Sequence, residues 1–395
     1  MLTTTIQTNP NDILNKLLSS DKKITGVYFN ADYTPYSVKR DIELQQVCDE
    51  NQVSCYISED VLLNPIESIT TGSGSVYQKF TPYFNAAKKV DISKPKTNNY
   101  KNYAKSNSKS KSKNLPGLYT GSLEKFYKHN DDLWIRGGRK IALNILKNIS
   151  DFKDYNKKRN DLNQDTTYLS AANKFGVVSI REVYWAFRDK LGMKNDLIKQ
   201  LYWRDFYYNL VWKYPHVIGK SLKPKYDKIK WWGKKSNFEK WKTGHTGFPI
   251  VDAAMRSMNA TGFMHNRARL IVSSFLIKIL LLDWRLGEKY FAQKLVDYDQ
   301  AVNNGNWQWG SGSGADSQPY FRIFNPWTQG KTYDPNGTYI KKWLPELSNV
   351  EAKHLHQWDK YYSEYNKSEI GNYPGPIVDY TSQRKEALEM YKAVM

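Results

Sequence analysis

From residue 117 to the C-terminus the chain is a succession of helical patterns, and this constrains its fold more than any other feature. Apolar and aromatic residues recur there at three- and four-residue spacing, the signature of helices that bury one face. One helix opens at Gly137-Gly138-Arg139, and others are expected over 180–191, 195–214, 250–258, 266–282, 287–295 and 301–309. The most apolar stretch, 270–282, contains Lys278 and two serines and is too short to span a bilayer, so it reads as a buried helix. Neither an internal repeat nor a heptad pattern is present. One mainly helical domain over 117–395 is the simplest account.

The front of the chain reads differently. Residues 1–90 hold two short strand patterns, 24–29 and 53–57, on either side of a helical pattern at 37–51. Two strands and a helix are too few for an independent parallel sheet. This region is therefore expected to be a truncated, Rossmann-like α/β domain, or one completed by a second polypeptide. Residues 91–116 are rich in Lys, Ser and Asn and read as a solvated linker.

Charge suggests a partner. The chain has 59 Lys+Arg against 39 Asp+Glu, a formal net charge of +20. Such an excess suits a polyanion such as nucleic acid, unless it only decorates the surface. With Cys48 and Cys55 as the only cysteines, and no secretory pattern at the start, a soluble intracellular protein is expected.

Four clusters carry candidate chemistry. In the segment 295–309, Asp299, Asn303 and Trp307 are four residues apart and share a face if helical. They read either as a helix cap followed by core tryptophans, or as groups that hydrogen-bond and stack on a flat heteroaromatic ring. The second cluster, 261–270, places Asn266, Arg269 and Leu270 on one face and Arg267 on another. One arginine can pair with Asp297 inside the fold while the other meets phosphate. In the third, Gln200, Trp203, Arg204 and Tyr207 follow helical spacing, as a core stripe or as a seat for an unstacked base. The fourth, Thr166 to Ser170, precedes a short helix and suits capping or a pyrophosphate. No dinucleotide-binding glycine motif or P-loop is present. His354 and His356 are read as a surface loop, and no metal is expected.

The order of Thr166-Thr167-x-Leu169-Ser170, Trp203-Arg-Asp-Phe-Tyr207, Thr246-Gly-Phe-Pro-Ile, Met264-His-Asn-Arg267, Asp283-Trp-Arg-x-Gly-Glu288, Asp297-x-Asp299-x-x-x-Asn303 and Arg322-Ile-Phe-Asn-Pro326 resembles the photolyase/cryptochrome family, closest to its microbial cyclobutane-dimer branch. The resemblance implies a helical domain that holds noncovalent FAD, active when reduced, and light-driven repair of UV-damaged DNA. It assigns the cofactor to Tyr155, Thr166, Thr167, Tyr168, Leu169, Ser170, Arg269, Asp297, Tyr298, Asp299 and Asn303. It assigns electron relay to Trp307, Trp284 and either Trp231 or Trp232. Arg159, Arg267, Arg322 and Gln329 would meet the DNA backbone. Gln200, Trp203, Arg204, Tyr207, Asn266, Leu270 and Trp309 would surround the lesion.

Departures from the pattern bear on these expectations. Gln200 stands where dimer photolyases have Glu, Leu270 where they have Met, and Phe263 where Trp is usual. Tyr36 and Ser37 replace the Asn and Glu that hold a folate antenna in some relatives, so no antenna is expected. Two other readings keep the fold: a cryptochrome-like photosensor, and an inactive truncated DNA-binding relic.

Overall fold

The computed structural model of the chain describes residues 9–96, 98–102 and 127–395. Most of the expected linker, and the start of the helical domain at 117, lie outside the described residues. The front holds one parallel pair of strands, Gly26–Asn30 beside Ser54–Ser58, in register Gly26 to Ser54 and Asn30 to Ser58. The helix Pro35–Glu50 connects them, and Pro10–Ser20 packs on that helix.

The rest is helical, and local chemistry sets most boundaries. The helix Ile180–Leu191 spans the expected residues because Ser179 and Glu182 form a capping box and Gly192, at φ 80°, ends it. Asp196–Lys213 starts where Asn195 accepts from the Leu197 amide. It buries eleven of its 18 residues, Tyr202 and Phe206 among them, and so forms the centre of its cluster rather than a surface helix. Each large apolar side chain buried this fully contributes roughly 1.5–3 kcal/mol.

The expected 266–282 helix stops at Lys278. Beyond it Leu281 turns to φ 55°, and the chain at Gly233 crosses so closely that a Cβ there would lie 2.0 Å from the Leu280 carbonyl oxygen. Only glycine permits that crossing. Further helices follow at Pro249–Thr261, Trp284–Lys294, Gln300–Ser311, Pro326–Tyr333 and Tyr380–Lys392.

Two large apolar clusters hold the body together. One joins Trp241, Phe248, Met255, Phe275, Trp284, Trp307, Trp358 and Tyr391. The other joins Leu63, Phe80, Tyr83 and Ile92 to Ile149, Val183, Tyr202 and Phe206, so the end of the front segment packs into the helical body. The first residues of the expected linker share in this: Ile92 is buried and the Trp185 indole donates to the Ser93 carbonyl. His356 corrects an expectation. It is buried, with its Nε2 3.1 Å from the Pro335 carbonyl oxygen, whereas His354 stacks on Tyr361 and touches the Tyr365 hydroxyl. Among the described residues no helix is long and apolar enough to cross a membrane, and no group of His, Cys, Asp or Glu could hold a metal ion.

Candidate functional site

A cavity of about 440 Å³ opens where the two apolar clusters meet. Tyr155, Thr166, Thr167, Tyr168, Leu169 and Ser170 line one part of it; Asp297, Tyr298, Asp299, Asn303 and Trp307 line another. Tyr168 has φ 51°, an uncommon conformation for a non-glycine residue. Its hydroxyl donates to Asp165 at 2.7 Å and its ring meets Phe263 edge-on, which holds it there.

The polar groups of the wall are fixed by one another. Arg269 donates through Nη2 to both Asp297 oxygens, at 3.0 and 2.9 Å, and through Nε to the Met264 carbonyl at 2.8 Å. Asp299 caps the Gln300–Ser311 helix, accepting from the Val302 amide, and also accepts from the Tyr208 hydroxyl at 3.0 Å. This residue is thus a helix cap that also lines the cavity. Asn303, one turn on, donates to Glu288 Oε1 at 3.0 Å, and the Tyr298 hydroxyl donates to the same oxygen at 3.2 Å. Burial raises the Glu288 carboxyl above its ordinary value. His265 caps the Asn266–Lys278 helix, its Nδ1 accepting from the Arg267 amide at 3.1 Å. Burial, with Arg267 and Arg269 close by, pushes it down to about 4, so it is neutral at pH 7.

Gln200, Trp203, Arg204, Tyr207, Asn266, Leu270, Trp309 and Arg159 also line the cavity. Trp203 is stacked on Phe80, ring centroids 3.7 Å apart, and on Tyr207 at 5.6 Å. A Cβ at Gly305 would lie 2.1 Å from the Tyr207 ring, so this glycine lets the ring lie against the next helix. Arg204 also reaches the front segment. Its guanidinium donates to the Val61 carbonyl and sits 3.6 Å from Asp299, bracing the front segment against the cavity wall.

Arg267, Arg322, Gln329, Trp284, Trp231 and Trp232 are not part of the wall. Arg267 donates to Asn160 at 2.8 Å and covers the Tyr333 ring. Burial lowers its guanidinium, and the like charges of Arg159 and Arg322 lower it further. Trp307 and Trp284 are buried, and Gly287, one turn from Trp284, leaves room for the Trp307 ring. Trp231 packs on the core beside Tyr391, whereas Trp232 is half-exposed and donates to Glu386.

Sequence reasoning missed Asn173, Ser273, Asn306 and Phe291 in the wall, and Glu288 behind Asn303. Glu288 had a usable signal, since it ends the Asp283-Trp-Arg-x-Gly-Glu motif; the others had none.

The donor set fits a dinucleotide. Hydroxyls at one end suit phosphates, a carboxylate–guanidinium pair and an amide at the other suit a flat heteroaromatic ring, and Phe263, Leu197 and Val302 supply apolar wall between polar groups. Fold and site therefore define a helical protein built around a deep cavity of the kind that holds a dinucleotide. Residues 197–393 match the family described as FAD binding domain of DNA photolyase, and residues 3–99 the family described as DNA photolyase. The chain is 35% identical over 409 residues to the deoxyribodipyrimidine photo-lyase of Alkalihalophilus pseudofirmus, covering 96% of this chain and 81% of that protein. Its structure resembles the archaeal photolyase of Sulfolobus tokodaii, solved with two FAD molecules (TM-score 0.79, 35% identity, 96% of this chain and 82% of that one). It also resembles a Synechocystis cryptochrome (TM-score 0.81, 25% identity, 96% and 82%). This chain belongs to the DNA photolyase family and carries that family's FAD-binding domain.

Proposed function

We propose that this protein repairs UV-damaged DNA in light by splitting cyclobutane pyrimidine dimers. The observation that carries the reading is that one cavity is walled both by the residues assigned to the cofactor and by Trp203 and Trp309, assigned to the lesion. Reduced FAD supplies the light-excited electron that opens the dimer and takes it back.

The protein's own residues supply the rest. Thr166, Thr167, Ser170 and Tyr155 hold the phosphates, and the Arg269–Asp297 pair and Asp299 hold the ring. Because the Asn303 amide nitrogen is used by Glu288, its carbonyl oxygen is the atom it offers the cavity, an acceptor suited to a ring N–H. Arg159, Arg267, Arg322 and Gln329 meet the backbone phosphates, which position without reading sequence. Gln200, Tyr207, Asn266 and Leu270 surround the extruded pyrimidines, and Trp203 and Trp309 flank them. A dimer stacks poorly, so drawing it out costs less than drawing out a normal base. Trp307, Trp284 and either Trp231 or Trp232 would pass electrons from an external reductant at the surface to a bound flavin. Domain boundaries at 90 and 117, with a linker between, complete the reading.

The test is to purify the protein, reduce it, and illuminate it with thymine-dimer oligonucleotide. Loss of dimer in light and not in the dark is expected. Bound flavin without repair would favour a photosensor of the cryptochrome kind, and absence of flavin would reject both.

A further inference from the structure

The loop between the helices Gln300–Ser311 and Pro326–Tyr333 carries Arg322, and it is stitched to the helix Asn266–Lys278 at two points one turn apart. The Ser274 hydroxyl accepts from the Phe324 amide at 3.2 Å, and the Lys278 ammonium donates to the Arg322 carbonyl at 2.9 Å. Lys278 is 1% exposed. Burying an amine costs free energy unless it is hydrogen-bonded, and the partner shown here is a single main-chain oxygen. The C-terminal helix closes the arrangement. Tyr391 lies 5.9 Å from Lys278 Nζ, donates to the Ser311 carbonyl at the start of the loop, and stacks on Tyr320 within it.

We propose that Lys278 is a positioning residue for DNA recognition: it fixes the main chain at Arg322, and with it the place from which this guanidinium meets the DNA backbone. The proposal rests on the DNA-repair reading above. It needs the hydrogen bond and not a full positive charge: a neutral donor also holds the carbonyl, though more weakly than an ammonium. The amine itself is buried away from any phosphate.

The test is a double-mutant cycle on the full-length flavoprotein, reading affinity for thymine-dimer duplex against salt concentration. Lys278→Met should weaken binding about tenfold. It should also lower the salt slope by about one, as Arg322→Ala does. In the Arg322→Ala background Lys278→Met should add little further loss, because the group it positions is already gone. Lys278→Gln, which keeps a donor without the charge, should restore most of the affinity. If Lys278→Met does not fold with flavin, Ser274→Ala enters the same cycle, with a smaller loss that again vanishes without Arg322. Unchanged binding in these variants, or equal losses with and without Arg322, would overturn the positioning role while leaving repair intact. Wild-type protein that does not prefer damaged duplex would instead overturn the repair reading itself, and the positioning role with it.

Discussion

The cavity wall and the front sheet are built by opposite rules. Around the cavity several polar groups are held by others: Arg269 by Asp297, Asn303 by Glu288, Asp299 by its own helix and Tyr208. Behind them stands a filled core in which Met255, Met258 and Trp241 are wholly buried. In the front, two parallel strands pair only with each other among the described residues, and the stacked rings of Tyr28 and Tyr56 are 73% and 48% exposed. Parallel sheets are usually covered on both faces. The front is anchored instead through the joint between residues 61–64 and the central helix. There Asp205 accepts from the Leu63 and Asn64 amides, and Arg204 holds the Val61 carbonyl. The contrast says that the site is preorganised by the helical body and that the front leans on the body.

Substitutions should reproduce this asymmetry. The largest effect belongs to Arg269→Ala, which leaves the Asp297 carboxylate, 4% exposed, without its partner. A loss of about 3 kcal/mol is expected in chemical denaturation, together with loss of flavin absorbance. A small loss with flavin retained would break the claim of a preorganised wall. Next, Asn303→Asp sets a second carboxylate beside Glu288, whose own carboxyl burial already raises. It should cost about 2 kcal/mol and shift the bound flavin's reduction potential downward, read by redox titration. An unchanged potential would remove Asn303 from its assigned place.

Asp205 sharpens the comparison at the joint. Burial raises its carboxyl from 3.8 to about 7. A raised folded value means that the folded state binds this proton more tightly than the unfolded state, so stability is lost as pH climbs from about 4 to about 7. Asp205→Asn removes that contribution. Its unfolding free energy should therefore fall less than wild type's between pH 5 and pH 7.5, by about 2 kcal/mol. Parallel pH curves would mean that the joint does not titrate. The smallest effect is expected at Tyr28→Ser, about 0.5 kcal/mol or less, because the position is open. A loss comparable to that of Arg269→Ala would show that the front sheet is covered by contacts the exposed ring does not reveal.

What could be read from sequence follows the range of the interactions. The helix Ile180–Leu191 was legible because its start signals, Ser179 and Glu182, and its stop signal, Gly192, are local. The end of the next apolar helix at Lys278 was not, because it is set by the distant chain crossing at Gly233. Spacing suggested that an arginine of the 261–270 segment could meet Asp297, and the family resemblance pointed to Arg269; the structure shows that pair and adds the Met264 carbonyl as a second anchor. Periodicity could place Arg204 on the face of Trp203 and Tyr207, but not reveal that its guanidinium also holds the Val61 carbonyl. The helix Phe80–Ala87, which backs Trp203 through Phe80, went unread because it is short and has no side-chain cap.

The central claim is that one cavity holds flavin and lesion together, and flavin fluorescence tests it most directly. Reduced protein should lose its flavin emission when thymine-dimer duplex is added in the dark and keep it with undamaged duplex. Trp203→Ala should weaken that response without removing the flavin. Full emission at saturating damaged duplex would place the lesion out of electron-transfer reach of the flavin and contradict the account.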